Sequence, residues 1–171
     1  MAAQDTLRVD VEEKKAAEDA NKEPPKRLIK IVNGKNEPAF QLKIVPEHLI
    51  FKYCSPVPGF ATFTIINTKS DRQAFKVKSH DNEWYRAKPS VGFIKAGEKV
   101  HVRVMYLNPN QQPPPPEQHT KHVVVFHVSA GNAKTYKEAF AKKPDGIHHY
   151  YCNHLVEMQQ VVDDNETDKK N

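Results

Sequence analysis

The chain has 171 residues and a formal net charge of +5, and 38% of its residues are hydrophobic. That length suits one domain with polar tails, and it is long enough for a substantial core. Glycine is scarce, with 6 residues, whereas proline is plentiful, with 13. Prolines between short apolar runs are typical of an all-β domain, in which they occupy turns and strand edges.

The charge is unevenly distributed along the chain. Residues 1–25 hold four Lys or Arg and seven Asp or Glu, which gives −3, and residues 161–171 hold two Lys and four Asp or Glu, which gives −2. The part between them therefore carries +10. A basic core of this kind suits nucleic acid, an anionic lipid surface or an acidic protein, and it equally suits a core whose charge the tails partly screen.

The N-terminus has no apolar run typical of a signal peptide, and no stretch approaches the ~20 apolar residues needed to span a bilayer. We therefore expect a cytoplasmic protein without a transmembrane anchor. Cys54 and Cys152 are then expected to be reduced thiols. Both lie in or beside apolar strand-like segments, which favours a role as buried small hydrophobic residues over a disulfide.

Three regions follow from composition. Residues 1–25 are charged and lack an apolar stripe, which predicts a disordered or weakly helical arm. Residues 26–160 hold the apolar alternation of a β-sandwich, and residues 161–171 form an acidic polar tail.

Alternation of apolar and polar residues predicts short strands through the central region. In chain order they are residues 26–32 (an added edge strand), 40–45, 49–53, 61–67, 73–79, 99–107, 123–128 and 150–158. Residues 88–98 are rich in turn formers and predict a corner, and residues 134–143 predict a short helix. Seven or eight strands, with turn signals about every ten residues, indicate an antiparallel immunoglobulin-like sandwich.

Two further segments stand out along the chain. Residues 111–118 (QQPPPPEQ) predict a stiff, exposed polyproline loop, which serves either as a spacer or as a ligand for a proline-binding groove. In the strand at 73–79, Phe75 and Val77 alternate with Lys76 and Lys78. A sheet can bury the first pair and offer the two ammonium groups to an anionic partner.

Chemistry-bearing motifs are few. His148, Cys152 and His154 share one strand face, but ligands along a single strand seldom complete a tetrahedral zinc site, so we expect no metal and no cofactor. No phosphate-binding loop or nucleophile motif appears, so we expect no enzymatic activity and no small-molecule substrate.

Nucleic acid is a weaker alternative to a protein partner. It would use one basic patch with Trp84 and Tyr85 beside it as stacking surfaces. That patch would comprise Lys69, Arg72, Lys76, Lys78, Arg86 and Lys88.

Spaced motifs resemble the major sperm protein domain, which occurs in nematode sperm cytoskeletal proteins and in the VAP membrane receptors. They are VPEHLIF (45–51), IINTKSDRQAFKVKS (65–79), YRAKPSVGFIKAGEKVHVRVM (85–105) and the closing YKEA and YYCNHLVEM. The resemblance covers about residues 40–158 and implies a seven-stranded, non-enzymatic β-sandwich. Pro46, Pro89 and Gly92 match the family's structural corners.

In the receptor branch of that family, a groove beside the sequence F-K-V-K-T-T binds short acidic peptides with two aromatic residues. Three cations match that groove, and Ser79 and His80 replace its two threonines. A later K-F-M motif aligns with His122, Val123 and Val124, although a register one residue earlier would keep the lysine as Lys121. The resemblance thus implies a basic groove formed by Arg72, Lys76, Lys78, Ser79, His80, His122 and Val124.

The small members of the family include major sperm proteins, which form dimers, filaments and fibres that drive sperm crawling, and proteins that associate with those fibres. With its arm, polyproline loop and tail, this chain resembles an accessory member. We therefore expect an interaction module that associates with or regulates major sperm protein filaments in the sperm pseudopod, with homodimerisation possible. The alternative is an adaptor that binds acidic peptides through the basic groove.

Overall fold

The structure, a computed structural model, describes residues 28–53, 59–109 and 121–156. The predicted arm, the polyproline loop, the acidic tail and Cys54 lie outside the described residues.

The described residues form nine strands and one short helix. They are β1 (Lys43–Val45), β2 (Leu49–Tyr53), β3 (Gly59–Ile66), β4 (Gln73–Ser79), β5 (Tyr85–Lys88), β6 (Val91–Ile94), β7 (Lys99–Tyr106), β8 (His122–Ser129), α1 (Tyr136–Ala139) and β9 (Gly146–Val156). One sheet has the order β1–β3–β7–β5 and the other the order β2–β9–β8–β4–β6. Neighbouring strands are antiparallel except β2 and β9, which are parallel.

The predicted all-β sandwich is confirmed, with two strands more than the seven of the expected fold. The corner at 88–98 contains β6, whose sequence VGFI is too short and too close to Pro89 and Gly97 to stand out as a strand. Pro89 has no amide hydrogen to donate to a ladder. It separates β5 from β6, and these two strands then join different sheets.

The predicted edge strand at 26–32 is wrong for the residues that the structure describes, because 28–32 form no strand. Their backbone is held by a side chain instead of a neighbouring strand. The amide of Asn153 accepts a hydrogen bond from Ile29 N–H at 2.8 Å and donates one to Ile29 O at 3.1 Å.

The turn between β3 and β4 carries the chain from one sheet to the other. β3 pairs with β1 and β7, whereas β4 pairs with β6 and β8. Asn67 lies at this crossing and is fully buried, and its side chain donates to Asp71 O at 2.8 Å and to Ile94 O at 3.0 Å. The sequence predicts the two strands and the turn, but not that the strands belong to different sheets.

The core lies between the two sheets, where the inward-facing side chains of strands such as β3, β7 and β8 alternate with outward-facing ones. Its largest fully buried side chains include Tyr85, Tyr106, Tyr150, Phe51, Phe63 and Phe75. Cys152 is fully buried there, as the sequence predicts, and Trp84 packs against the edge of this core.

The helix α1 covers one end of the outer face of the five-stranded sheet. It is shorter than the predicted helix at 134–143, and it begins after Thr135, whose hydroxyl accepts a hydrogen bond from Glu138 N–H. Ala139 packs with Ala74 and Val128 in a second, smaller core. The rest of that outer face is left for the candidate site.

Candidate functional site

All but one of the predicted groove residues lie on or beside the outer face of the five-stranded sheet. We call the outward-facing residues of β4 and β8, together with His80 directly after β4, the β8 face: Lys76, Lys78, His80, His122, Val124 and Phe126. α1 borders this face on one side, because its C-terminal neighbour Phe140 contacts Lys76. The segment before β1 borders it on the other side, because Glu37 reaches β9.

The side chains of the β8 face form rows across three strands. Lys78 lies opposite Val124, which in turn lies opposite His149 of β9. Lys76 lies opposite Phe126 in the next row. Directly opposed side chains in a sheet are about 5 Å apart, so a partner segment crossing these rows meets a cation, an apolar side chain and an imidazole in turn.

Lys76 lies among aromatic rings. Its ammonium is 4.8 Å from the centroid of the Phe140 ring and 5.5 Å from that of Phe126. Cation–π attraction holds the ammonium there. Burial lowers the pKa of Lys76, and the like charge of Lys78 lowers it further. The half-buried Lys76 and the exposed Lys78 therefore offer two positive charges beside apolar surface.

Arg72 has a structural role that the sequence does not show, because its side chain binds the loop before α1. Its guanidinium donates to the backbone carbonyls of Gly131, at 3.1 Å, and Ala133, and it lies 4.4 Å from the centre of the Phe93 ring. These contacts fix the loop before α1. Arg72 therefore lies at the covered end of the sheet, and its donors face the protein's own backbone.

Ser79 lies on the opposite side of β4 from the two lysines. It follows Lys78 in the strand, and successive side chains alternate between the two faces. Its hydroxyl donates to Asp81 O at 2.9 Å and accepts from Asp81 N–H at 3.2 Å. Ser79 thus caps the turn after β4, and the structure does not bring it onto the β8 face.

Histidines form a hydrogen-bonded chain at the open end of the face. His149 Nε2 is 2.6 Å from Glu37 Oε2, and His149 Nδ1 is 2.7 Å from His122 Nε2. With Glu37 ionised, His149 Nε2 donates the hydrogen bond to Glu37. The His80 ring stacks 6.5 Å from that of His122.

The same contacts shift two pKa values. Burial lowers the pKa of His122, and His149 and His80 lower it further, whereas Glu37 opposes the shift. The hydrogen bond from His149 lowers the pKa of Glu37, with help from the N–H of Gly34. His122 is therefore neutral at neutral pH, and the cationic side of the β8 face is formed by the lysines of β4.

The structure puts His122, not Lys121, on this face. His122 faces His80 and His149, whereas Lys121 precedes β8, and its carbonyl accepts a hydrogen bond from Cys152 N–H at 2.7 Å. Burial raises the pKa of Cys152, and the nearby Lys121 ammonium opposes that rise. In His154, burial and the same ammonium both lower the pKa.

The predicted structural corners occupy three places in the fold. Pro46 follows β1, and its carbonyl accepts a hydrogen bond from the Tyr150 hydroxyl at 2.6 Å. Pro89 separates β5 from β6. At Gly92 an added Cβ would lie 2.8 Å from Cε1 of the buried Phe75 ring, so the close packing of β6 on β4 requires a residue without a side chain.

Sequence reasoning missed the residues that come from other elements, among them Glu37, Phe126, Phe140 and His149. Alternation does place His149 on the opposite side of β9 from His148, but nothing in the sequence gives the register that pairs it with Val124. Glu37 lies 112 positions from His149, which local patterns do not connect.

The cysteine and histidines on the inner side of β9 face the core. His148 contacts the rings of Phe40 and Tyr150, and His154 contacts those of Phe51, Tyr85 and Tyr106. In the part of the chain that the structure describes, no three His, Cys, Asp or Glu side chains are grouped to hold a metal ion.

The prediction that the basic residues form a single patch for nucleic acid is wrong. Lys76 and Lys78 face outward from the five-stranded sheet, whereas Arg86 and Lys88 face outward from the four-stranded sheet on the other side of the sandwich. Tyr85, one of the two proposed stacking residues, is fully buried. Its alternation with Arg86 turns the ring into the core.

Comparison with protein families matches the model of the MSP (major sperm protein) domain over residues 41–147. This range contains most of both sheets and the β8 face. Among solved structures, the chain is similar to SSP-19, an MSP-domain protein like family member of Caenorhabditis elegans. The TM-score is 0.51 and the identity 22%, over 64% of this chain and 94% of that one. This likeness supports the fold.

Curated relatives come from the same nematode. Sperm-specific class P protein 32 is 43% identical over 49 residues, which cover 29% of this chain and 46% of the relative. Sperm-specific class P protein 34 is 38% identical over 60 residues, which cover 35% of this chain and 51% of the relative. The chain thus spans about half the length of the curated relatives it matches. Among the described residues, none of the helices has the length and apolar character to cross a bilayer.

Proposed function

Because the chain belongs to the major sperm protein domain family, we propose that it is a non-enzymatic interaction module that associates with major sperm protein filaments and alters their assembly. The sperm-specific relatives support a role in sperm. The observation that carries the proposal is the β8 face, where the charges of Lys76 and Lys78 lie beside the half-buried Val124 and Phe126. Charges steer and orient an acidic partner, and the apolar side chains supply area to bury.

A co-sedimentation experiment tests this proposal. Polymerised major sperm protein is pelleted with the purified chain, with a variant carrying Lys76→Gln and Lys78→Gln, and with a control variant carrying Lys137→Gln and Lys142→Gln. Both variants lose two positive charges, and the control positions are exposed on or just after α1. We expect the wild type and the control to pellet with the filaments and the β4 variant to remain largely in solution. Equal pelleting of all three proteins, or of none, contradicts the proposal.

A second candidate is an adaptor for acidic peptides, and the two rings around the Lys76 ammonium favour it. An aromatic peptide side chain can pack against Phe126 or Phe140 while acidic residues approach Lys78. Fluorescence anisotropy with an acidic peptide containing two aromatic residues, and with the same peptide carrying alanines in their place, tests this. Binding that needs both the aromatics and the lysines, in a protein that ignores filaments, favours the adaptor. Binding that survives Lys76→Glu and Lys78→Glu excludes it.

A further inference from the structure

A second cationic surface lies on the side of the sandwich opposite the β8 face. It is the outer face of the four-stranded sheet, which we call the β7 face. Its charged side chains are Lys43 of β1, Arg86 and Lys88 of β5, and Lys99 and Arg103 of β7. All five are exposed, and their alternation with buried residues such as Val102 and Val104 directs them outward.

No negative charge within these strands offsets the five cations. β1, β3, β5 and β7 contain neither Asp nor Glu. Within residues 28–53, 59–109 and 121–156, the ion pairs are Lys30 with Glu47 and His149 with Glu37, and neither involves the β7 face. Like charges held on one sheet face repel each other and attract a polyanion.

The five charges are spread in two dimensions. Lys99 and Arg103 are four residues apart on β7, which is about 14 Å along the strand. Lys43 and Arg86 lie on the two edge strands of a four-stranded sheet, which are about 14 Å apart across it. An extended acidic peptide follows one line and reaches one row of such a surface, whereas a plane of anionic headgroups reaches every cation at once.

Apolar side chains are exposed on the same face. Phe60 of β3 is 57% exposed and lies under the guanidinium of Arg103, 4.3 Å from its ring centroid. Val45 of β1 is 39% exposed. Exposed aromatic and aliphatic side chains among cations are the composition of surfaces that lie at the boundary between lipid headgroups and acyl chains. A second copy of the chain is a poor occupant, because its own β7 face carries the same charges.

We propose that the β7 face docks on an anionic lipid surface, with the five cations against the headgroups and Phe60 at the acyl boundary. This leaves the β8 face directed away from the membrane and open to a protein partner, because the two faces are on opposite sides of the sandwich. Docking at the β7 face does not depend on the function proposed for the β8 face.

Vesicle sedimentation with the full chain tests this. The vesicles are phosphatidylcholine alone or phosphatidylcholine mixed with phosphatidylserine, at low and at raised salt. One variant carries Lys43→Gln, Lys88→Gln and Lys99→Gln, and the control carries Lys137→Gln, Lys142→Gln and Lys143→Gln. The two lose the same net charge, and all six lysines are exposed. Each cation near an anionic membrane is worth about fivefold in partitioning, so we expect the first variant to bind roughly 100-fold more weakly and the control much less so.

A separate variant tests the apolar contact. Phe60→Ser keeps every charge, and we expect it to weaken binding to the mixed vesicles and to leave its residual binding more sensitive to salt. Equal loss in the two triple variants shows that net charge alone drives binding, and it overturns the assignment to the β7 face. A folded wild-type chain that does not bind phosphatidylserine vesicles also overturns the proposal. This holds even if the chain binds another polyanion, such as polyglutamate or RNA.

Discussion

The hydrogen bonds of the buried His127 depend on close packing at one glycine, Gly146. His127 is fully buried, and its Nε2 accepts a hydrogen bond from Gln41 N–H at 3.0 Å. Its Nδ1 therefore carries the proton and donates to Gln73 Oε1 at 3.1 Å. Gly146 lies against this ring, and a Cβ there would be 2.8 Å from His127 Cδ2 and 2.9 Å from Ala39 O. The ring has hydrogen bonds at both nitrogens and cannot move aside without losing one.

We expect Gly146→Ala to lower the free energy of unfolding by about 3 kcal/mol, because overpacking and an unsatisfied buried hydrogen-bonding group each cost about 1–3 kcal/mol. Urea unfolding measures the change. Gly34→Ala is the control, since an added Cβ there has no neighbour closer than Glu37 Cδ at 3.8 Å. A Gly146→Ala protein as stable as the control contradicts the packing argument.

At the scale of elements, the segment that precedes β1 is fastened to β9 by several side-chain hydrogen bonds. Asn153 binds Ile29 through both its oxygen and its nitrogen. Asn33 Nδ2 donates to Ile147 O at 2.8 Å and to Pro38 O at 3.2 Å. Glu37, which this segment carries, bonds to His149 beside the β8 face. The two asparagines thus help to hold a carboxylate at the border of the candidate site.

We expect Asn153→Ala to free Ile29 locally without unfolding the sandwich. Two hydrogen bonds of about 1 kcal/mol each are lost, so exchange of the Ile29 amide hydrogen should speed up about 10- to 30-fold. Asn153→Asp keeps an acceptor for Ile29 N–H and should give a smaller change.

The backbone amide of Asn67, which donates a hydrogen bond to Glu98 O at 2.9 Å, serves as the internal control. Faster exchange at both amides indicates global destabilisation and contradicts a local latch. Unchanged exchange of the Ile29 amide hydrogen in Asn153→Ala also contradicts a local latch.

Individual strands could be predicted from the sequence because alternation is local. The strand VHVRVMY shows it most clearly, since Val100, Val102, Val104 and Tyr106 face inward as expected. β6 could not be predicted, because four residues between Pro89 and Gly97 carry too little pattern. The segment at 28–32 alternates like a strand, yet it is held by Asn153 from the far end of the chain. Whether a short apolar segment joins a sheet is decided by such distant contacts.

The candidate site also has features that the sequence can predict and features that it cannot. The two lysines of β4 share a face because the side-chain period of a strand is two, and the sequence suffices to show it. Other contacts depend on which strand is the neighbour and on its register. They are the hydrogen bonds of Arg72, the turn contact of Ser79 and the hydrogen-bonded chain from Glu37 through His149 to His122. A one-residue slip of β8 against β4 would put Val123 beside Lys78 and bury His122.

At the scale of the whole molecule, three histidines of the sandwich, one fully buried and two half-buried, make it sensitive to acid. Burial lowers the pKa of His127 and of His148 from 6.5 to about 4, and that of His154 to about 3. His148 Nε2 and His154 Nδ1 have no hydrogen-bond partner among the described residues. A proton taken up there would place a positive charge in the core without an acceptor, so these rings are neutral in the folded protein.

The sign of the pH dependence follows from these values. In the unfolded chain each histidine takes up a proton near pH 6.5, whereas the folded protein resists protonation until pH is about 4 or lower. Between those values the unfolded state binds more protons. The stability is complete above pH 6.5 and falls as the pH decreases from there. One pKa unit is worth about 1.4 kcal/mol, so at about pH 5 each histidine lowers the free energy of unfolding by about 2 kcal/mol.

Three such histidines together amount to a loss of about 6 kcal/mol, which is comparable to the total stability of many domains. We therefore expect urea unfolding to show a steep loss of stability between neutral pH and about pH 5. His148→Phe keeps an aromatic ring between Phe40 and Tyr150 and removes one titrating group, so it should flatten the pH dependence by about 1.4 kcal/mol per pH unit. If the free energy of unfolding has the same pH slope in the wild type and in His148→Phe, then His148 is already protonated in the folded state. That result would contradict the argument that the core excludes a charge at this position.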